Sequence, residues 1–510
     1  MRLSNKHANV QTIEYRDFSG GLNTTNAAER IAMNELARAV NVEIDKSTGL
    51  LKTCCGTDKV YADDTKSFQY LIYDAIEGIF LLTDADQKVY SMTTDGKTVA
   101  QVGVLTGKDA VSHAAWEDGV LIASGGPLQY YHGGTLETIA RDVSNSSDKT
   151  PPECHGVFVK DGRVWVYYDD ELHCSAVGDE HNWTQTTDDN SSAQWLQVGY
   201  KDGGKITGVC TLSSDTIIFK SNQHAYHLAG KFPDWTLSEI GRTIGCKGEG
   251  CCVSLGNTVL ALGLAMLQSI TVTDSYGDMM ATEVSRKIAG DVRAMGAIRL
   301  RYIAPLNQVW MLNGKLLSFY FLDANGGGFF ERQYNSVVMD AQYVGDEVYV
   351  LKEHGVYRLN NTHMTDDGEE MKWAFQGRTL VSQNDYLIKR VRADITPYFS
   401  YYAEERFRVG GVTLFGMLPD SSRYVWHNYG QIYHSRVPIA RPRGKRLYIN
   451  SDEVFEDWDY IYKNDTYIKS LNCYRAETRC VNRLRSVKVG GYGAGGMTLF
   501  NGISFDIVEV

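Results

Sequence analysis

The sequence predicts an all-β protein: a β-propeller of six or seven blades, with an extended N-terminal segment and a C-terminal β-sandwich. Three observations predict it. A turn followed by an apolar run recurs along the middle of the chain. The composition is rich in Tyr and poor in Pro, with 31 Tyr and 9 Pro among 510 residues. The rhythm stops at both ends, before about residue 61 and after about residue 376.

The repeat carries most of the prediction. The apolar runs begin at Ile79, Val120, Val164, Ile217, Val259, Val309 and Val348. Their starts lie 41, 44, 53, 42, 50 and 39 residues apart. Turn residues precede them, among them Glu77-Gly78, Asp118-Gly119, Asp161-Gly162 and Gly345-Asp346. Asp-Gly between alternating runs is a hairpin signal, because Gly accepts the positive φ of a tight turn. A more amphipathic strand follows each run, as at Leu172 to Ser175 or Val356 to Leu359, and another precedes each turn. Three or four antiparallel strands in roughly 45 residues is the size of one propeller blade. The apolar run reads as the innermost strand, because a strand buried on both faces is continuously apolar. A large sandwich would place strands every 8–12 residues without the longer period.

The flanks read differently. Residues 1–60 form an extended docking segment in which Asn34 to Asn41 suggests a two-turn helix capped by Asn34. Residues 61–376 hold the propeller. Arg141 to Pro152 within it is a polar loop. Residues 377–510 form separate strands of a sandwich or jelly-roll type.

Composition excludes several classes. Apolar residues make up 43% of the chain, too many for a disordered protein. The longest apolar stretch, Val259 to Leu267, is short of the roughly 20 residues a spanning helix needs, so no membrane segment is expected. Met1 to Gly20 has no apolar core and reads as no secretory signal. Ten Cys are too dilute for a disulfide scaffold and predict reduced, partly buried thiols. The net charge of −11 is uneven, with −16 over residues 1–376 and +5 over 377–510. An acidic body does not grip nucleic acid along its main surface.

The search for chemistry yields no catalytic residue, metal ligand set or cofactor motif. Thr93 to Thr98 approaches an aspartate box in one copy only and reads as a turn. His224 and His227 stand three apart in a strand, and His173 is next to Cys174, so each pair faces opposite sides. Lys201 to Lys205 and Gly326 to Gly328 lack the ending of a phosphate loop and read as hairpin tips. Cys54-Cys55, Cys246, Cys251-Cys252, Cys473 and Cys480 do not repeat zinc-ribbon spacing. Glu453, Glu456, Asp457 and Asp459 beside Trp458 read as a solvated acidic loop. Arg436, Arg441, Arg443, Lys445 and Arg446 form a candidate docking surface for an acidic partner or for DNA phosphate, or else a solvated linker.

Three segments near the N-terminus carry a family resemblance. They are Tyr15-Arg-Asp-Phe-Ser-Gly-Gly-Leu-Asn-Thr24, Ile31-Ala-Met-Asn-Glu-Leu-Ala-Arg-Ala-Val-Asn41 and Gly49-Leu-Leu-Lys-Thr-Cys-Cys-Gly56. The block resembles the N-terminus of tailed-phage virion proteins. Met33 stands where that family usually has Pro, and Cys54-Cys55 where it has Arg-Pro. Gly156 to Trp165, Gly208 to Tyr226, Gly241 to Cys252 and Arg483 to Gly491 are similar to later parts of the tail nozzle, or tubular B-type tail hub, proteins of short-tailed bacteriophages. The resemblance implies a non-enzymatic structural subunit, one of six in a homohexameric ring in the virion tail. It implies self-association, contact with the head-to-tail adaptor, and attachment of fibre, spike or needle proteins. Double-stranded DNA would pass through the lumen without sequence-specific binding, and assembly would take place in the host cytoplasm. A glycan-binding or glycan-hydrolysing propeller is the alternative, suggested by the abundant Trp and Tyr and the acidic cluster.

Overall fold

The computed structural model describes residues 10–397, 403–409, 412–418, 474–494 and 498–509, leaving out 46–47, 152, 187–188, 213–214, 273–278, 296–298, 313 and 322–326. The chain divides into two compact units. One comprises Met1–Asp58, Ser318–Asn335 and Leu359–Val510, the other Lys59–Leu317 and Ser336–Arg358. Among the described residues, no helix is long and apolar enough to cross a membrane.

The second unit is the propeller. Its first blade is the antiparallel sheet of Phe68–Asp74, Ile79–Asp84, Lys88–Thr93 and Val99–Val104. Four further four-stranded sheets follow, each built from consecutive strands. The second blade runs from Ser112–Trp116 to Thr135–Thr138, and the third from Gly156–Lys160 to Gln194–Gln197. The fourth runs from Ile206–Leu212 to Thr236–Gly241, and the fifth from Cys252–Ser254 to Met279–Glu283. The sixth set is Arg299–Ile303, Gln308–Leu312 and Gly314–Phe321. The seventh takes the end of the 17-residue strand Gly328–Val344, then Glu347–Lys352 and Gly355–Asn360. Its fourth strand is Gly56–Ala62, from the other end of the sequence.

All seven apolar runs fall on the second strand of a blade. Gly119–Ala123 and Gln308–Leu312 are buried throughout. The expectation that these runs are innermost is corrected here. The first strands of successive blades, such as Gly156–Lys160 and Ile206–Leu212, pack against one another toward the axis. The second strand is apolar on both sides because it is sandwiched between neighbouring blades. Leu121 and Leu128 of the second blade share a core with Val164 and Val166 of the third. Ile72 and Leu81 of the first share another with Val120 and Ile122 of the second.

The other unit contains two β-sheets packed face to face. Lys372–Gly377 pairs with Glu35–Val40 and with Val489–Ala494 in one sheet. In the other, Thr498–Glu509 pairs with Gln11–Tyr15 and with Leu51–Thr53. Phe500 joins the layers, its ring 4.9 Å from Trp373 and 5.2 Å from Phe375. The N-terminal segment thus supplies strands to both sheets. The expected helix at Asn34 to Asn41 is instead the strand Glu35–Val40. Ladder partners on Lys372–Gly377 and burial of Leu36 and Ala39 outweigh local helix preference.

Candidate functional site

Two constellations stand out, one in each unit. In the sandwich unit, the N-terminal block closes on itself. Phe18 is buried and meets the Phe375 ring edge-on at 5.6 Å. Gly20 and Gly21 are required by close backbone approach. A Cβ on Gly20 would lie 2.8 Å from the Asn34 carbonyl oxygen, and one on Gly21 2.7 Å from the Gly328 Cα. Gly21 also has φ +64°, a conformation that costs other residues energy. Asn23 then donates from Nδ2 to the Glu35 carboxylate at 2.8 Å, and its backbone N–H donates to the Leu36 carbonyl. The same Glu35 oxygen accepts the Ala32 N–H at 2.9 Å. The Gly-Gly-Leu-Asn and Asn-Glu-Leu segments therefore act as a single interlocked element.

Beneath it lies a buried ion pair between Arg332 and Glu43, with Lys52 3.6 Å from Glu43 and 3.2 Å from Asp45. Cys54 and Cys55 sit next to it, and burial raises both thiols above their ordinary range. They are core residues here.

In the propeller, ionisable side chains meet where the inner strands converge. Asp340, with no exposed surface, accepts the Arg301 guanidinium at 2.8 and 3.2 Å and the Leu71 N–H at 3.1 Å. Arg299 lies 3.3 Å from the same carboxylate, donates to the carbonyls of Gln69 and Met339, and stacks over the Tyr70 ring at 3.7 Å. One carboxylate thereby ties together the first, sixth and seventh blades. Burial alone would raise its pKa, but the charges of Arg301 and Arg299 win and hold it below the usual carboxylate range. His113, from the second blade, is pushed down to about 4 by burial and then by Arg301. The Tyr167 hydroxyl donates to Glu249 at 2.5 Å, and burial lifts the Glu249 carboxyl above its ordinary pKa against the nearby Arg301 charge. No sequence motif marks these residues, because they come from separate blades.

The residues singled out from the sequence take ordinary roles. His224 contacts Glu239 at 3.1 Å while His227 contacts Asp215 at 3.3 Å, so the two imidazoles serve different carboxylates. His173 pairs with Glu171 at 2.9 Å, and Cys174 is buried in the core shared with the fourth blade. Thr93 to Thr98 is a turn closed by hydrogen bonds between those two residues and by Thr93 to Asp95. Lys201 to Lys205 is not a hairpin tip. It joins the third and fourth blades, and its Asp202 receives the buried Lys220 at 2.6 Å and the Tyr226 hydroxyl at 3.0 Å.

Asp179, Glu180 and His181 place their ligand atoms within 4.8 Å of one another and could hold a cation. Both His181 nitrogens already meet carboxylates, Glu137 at 3.0 Å and Glu180 at 3.1 Å. The candidate docking residues Arg436, Arg441, Arg443, Lys445 and Arg446 lie outside the described residues, as do Glu453, Glu456, Asp457 and Asp459.

No family model and no curated protein matches the chain. Among solved structures it is similar to BamB from Moraxella catarrhalis, at 10% identity and a TM-score of 0.37, over 62% of this chain and 93% of that one. It is also similar to the computationally designed Ika8 protein, at 13% identity and a TM-score of 0.37, over 59% of this chain and 99% of that one.

Proposed function

We propose that the chain is a non-enzymatic structural subunit of a bacteriophage tail, forming a nozzle or hub ring below the head-to-tail adaptor. The ring, a homohexamer, provides the channel for DNA ejection and a platform for fibres, spikes or needles. The observation that carries this reading is the N-terminal block. The residues that resemble the virion family, Phe18, Gly20, Gly21, Asn23 and Glu35, are the ones whose contacts hold the segment in the sandwich.

Charge supports the reading. Residues 1–376 carry a net −16. An acidic wall repels phosphate, so duplex DNA slides past instead of adhering. The surplus of +5 over residues 377–510 suits docking on an acidic neighbour.

The test is electron microscopy of the purified chain co-expressed with a head-to-tail adaptor protein of a short-tailed bacteriophage. A ring seated on the adaptor is expected, with no glycan binding or hydrolysis. A stable monomer that never joins adaptor complexes overturns the reading.

A further inference from the structure

Four thiols gather where the fourth and fifth blades meet. Cys210 lies on the first strand of the fourth blade, Cys246 and Cys251 on the loop that follows it, and Cys252 opens the fifth blade. The loop Cys246-Lys-Gly-Glu-Gly-Cys-Cys252 folds back on itself. The Cys246 thiol and the Cys251 N–H both donate to the Gly248 carbonyl, at 3.1 and 3.0 Å. Gly250 turns the chain at φ +77°. Backbone hydrogen bonds from Lys247 to Leu262 and from Leu262 to Cys251 pin the loop to the fifth blade.

This fold brings the Cys246 thiol into hydrogen-bonding reach of both Cys251 and Cys252. Cys252 in turn reaches Cys210, and its thiol also faces the Val209 carbonyl at 3.7 Å. Gly208 leaves the room: a Cβ there would stand 3.1 Å from the Cys246 sulfur and 3.5 Å from that of Cys252. Cys210, Cys246 and Cys251 are buried, whereas Cys252 is half-buried.

The sulfurs form a row, in the order Cys251, Cys246, Cys252, Cys210. A tetrahedral metal site needs all ligand atoms around one point. Among the described residues, the sole group of potential ligands that meets mutually within 4.8 Å is Asp179, Glu180 and His181. A row instead favours pairwise chemistry. Four cysteines allow three connectivities, but in this row a single one pairs every thiol with a neighbour.

We propose that this cluster is a disulfide-forming site that takes up two disulfides, Cys246–Cys251 and Cys210–Cys252, from a small-molecule disulfide of the glutathione class. Cys252 is the entry point because it is the one thiol of the row that is half-buried. The hydrogen bond with Cys210 and burial raise this thiol above its ordinary range, so alkaline pH supplies the thiolate, which attacks a sulfur of glutathione disulfide and releases one reduced glutathione. Cys246 then attacks the Cys252 sulfur and releases a second. Cys251 attacks Cys246, forming Cys246–Cys251 and returning Cys252 to the thiol. A second glutathione disulfide reacts at Cys252, and Cys210 resolves it. Four protein thiols are oxidised by four electrons, and two molecules of oxidant become four of reduced glutathione. Each attacking thiol loses its proton, and each leaving glutathione takes one up. The Cys210–Cys252 bond would staple the inner strands of neighbouring blades.

The test uses the full-length chain incubated with glutathione disulfide at mildly alkaline pH, then alkylated, digested and mapped without reduction by mass spectrometry. Wild type should lose four thiols within the cluster, with a raised melting temperature that dithiothreitol reverses. Cys251 and Cys252 share a tryptic peptide, so variants resolve the pairing. Cys210→Ser should retain Cys246–Cys251 alone, and Cys251→Ser should retain Cys210–Cys252 alone. Cys252→Ser should slow oxidation of the remaining pair at least tenfold. Persistent Cys246–Cys252, glutathione adducts that never resolve, or an unreactive wild-type cluster would each overturn the proposal. So would one equivalent of zinc protecting all four thiols.

Discussion

At the scale of single residues, Asp340 and His113 make separable predictions. Asp340 is fully buried and faces two guanidinium groups. Removing one partner of a buried ionic group costs about 3–5 kcal/mol, because the other charge stays desolvated. Asp340→Asn keeps an acceptor for the Leu71 N–H, so its expected loss of about 3 kcal/mol at pH 7 reports the charge. Its folded pKa is depressed, so the stabilisation is present above the unfolded value near 4 and is lost as pH falls below that. Denaturant melts of wild type and Asp340→Asn should therefore converge below pH 4. His113 works in another window. Its folded pKa of about 4 lies beneath the unfolded 6.5, so folding favours the neutral ring. Stability is full above about pH 6.5 and declines as pH falls toward 4, by at most about 3 kcal/mol. His113→Gln should flatten that decline while leaving the acid limb below pH 4 in place. An unchanged pH profile would contradict the assignment.

At the scale of elements, the second strands were readable because burial on both sides leaves a continuous apolar run, visible without any knowledge of neighbours. The turns were readable in part. At Asp161-Gly162 both residues adopt positive φ, 55° and 67°, as the Asp-Gly signal anticipates. At Asp118-Gly119 the register differs: Glu117 takes the positive φ, and Gly119 already pairs with His132. Glycine there serves closeness, since a Cβ would stand 2.0 Å from the Tyr131 carbonyl oxygen. The strand Glu35–Val40 reads as a helix from the sequence because, apart from the short Gly21–Leu22, its ladder partners lie hundreds of residues away, where no local pattern records them. Two glycines of the third blade separate the two uses. Gly162 has φ +67° and open surroundings, with the Val177 side chain 3.6 Å from a Cβ, so Gly162→Ala should cost about 1 kcal/mol of backbone strain. At Gly156 a Cβ would fall 2.2 Å from the Tyr167 ring. Gly156→Ala should therefore exceed Gly162→Ala in urea melts, by about 1–3 kcal/mol of overpacking. Equal costs would refute the distinction.

At the scale of the whole molecule, repetition could be read from the sequence but closure could not. Seven spaced runs announce six or seven similar blades, yet nothing in their spacing says how the ring closes or which strand completes the last. The structure answers with Gly56–Ala62, which lies next to Gly355–Asn360, while Asp340 joins first, sixth and seventh blades at the axis. Ring closure thus rests on an inner hydrogen bond from the Leu71 N–H to Asp340, 269 positions apart, and on an outer strand from the other end of the sequence. The site chemistry was illegible for the same reason, since Tyr167, Glu249, Arg301 and Asp340 converge from different blades. The outer closure can be tested at one glycine. A Cβ on Gly355 would lie 2.3 Å from the Tyr61 carbonyl oxygen and 3.0 Å from the Ala62 Cα, both backbone atoms of the closing strand. Val60 and Tyr61 pack against the core that Phe68 and Phe80 share with Tyr349 and Leu351. Gly355→Ala must therefore push the strand outward and loosen that core, at a cost of about 1–3 kcal/mol. Limited proteolysis should then cut between Ala62 and Ser67 faster than in wild type, while the second to fifth blades keep their amide-exchange protection. A variant as resistant as wild type would mean that the strand does not hold the ring shut.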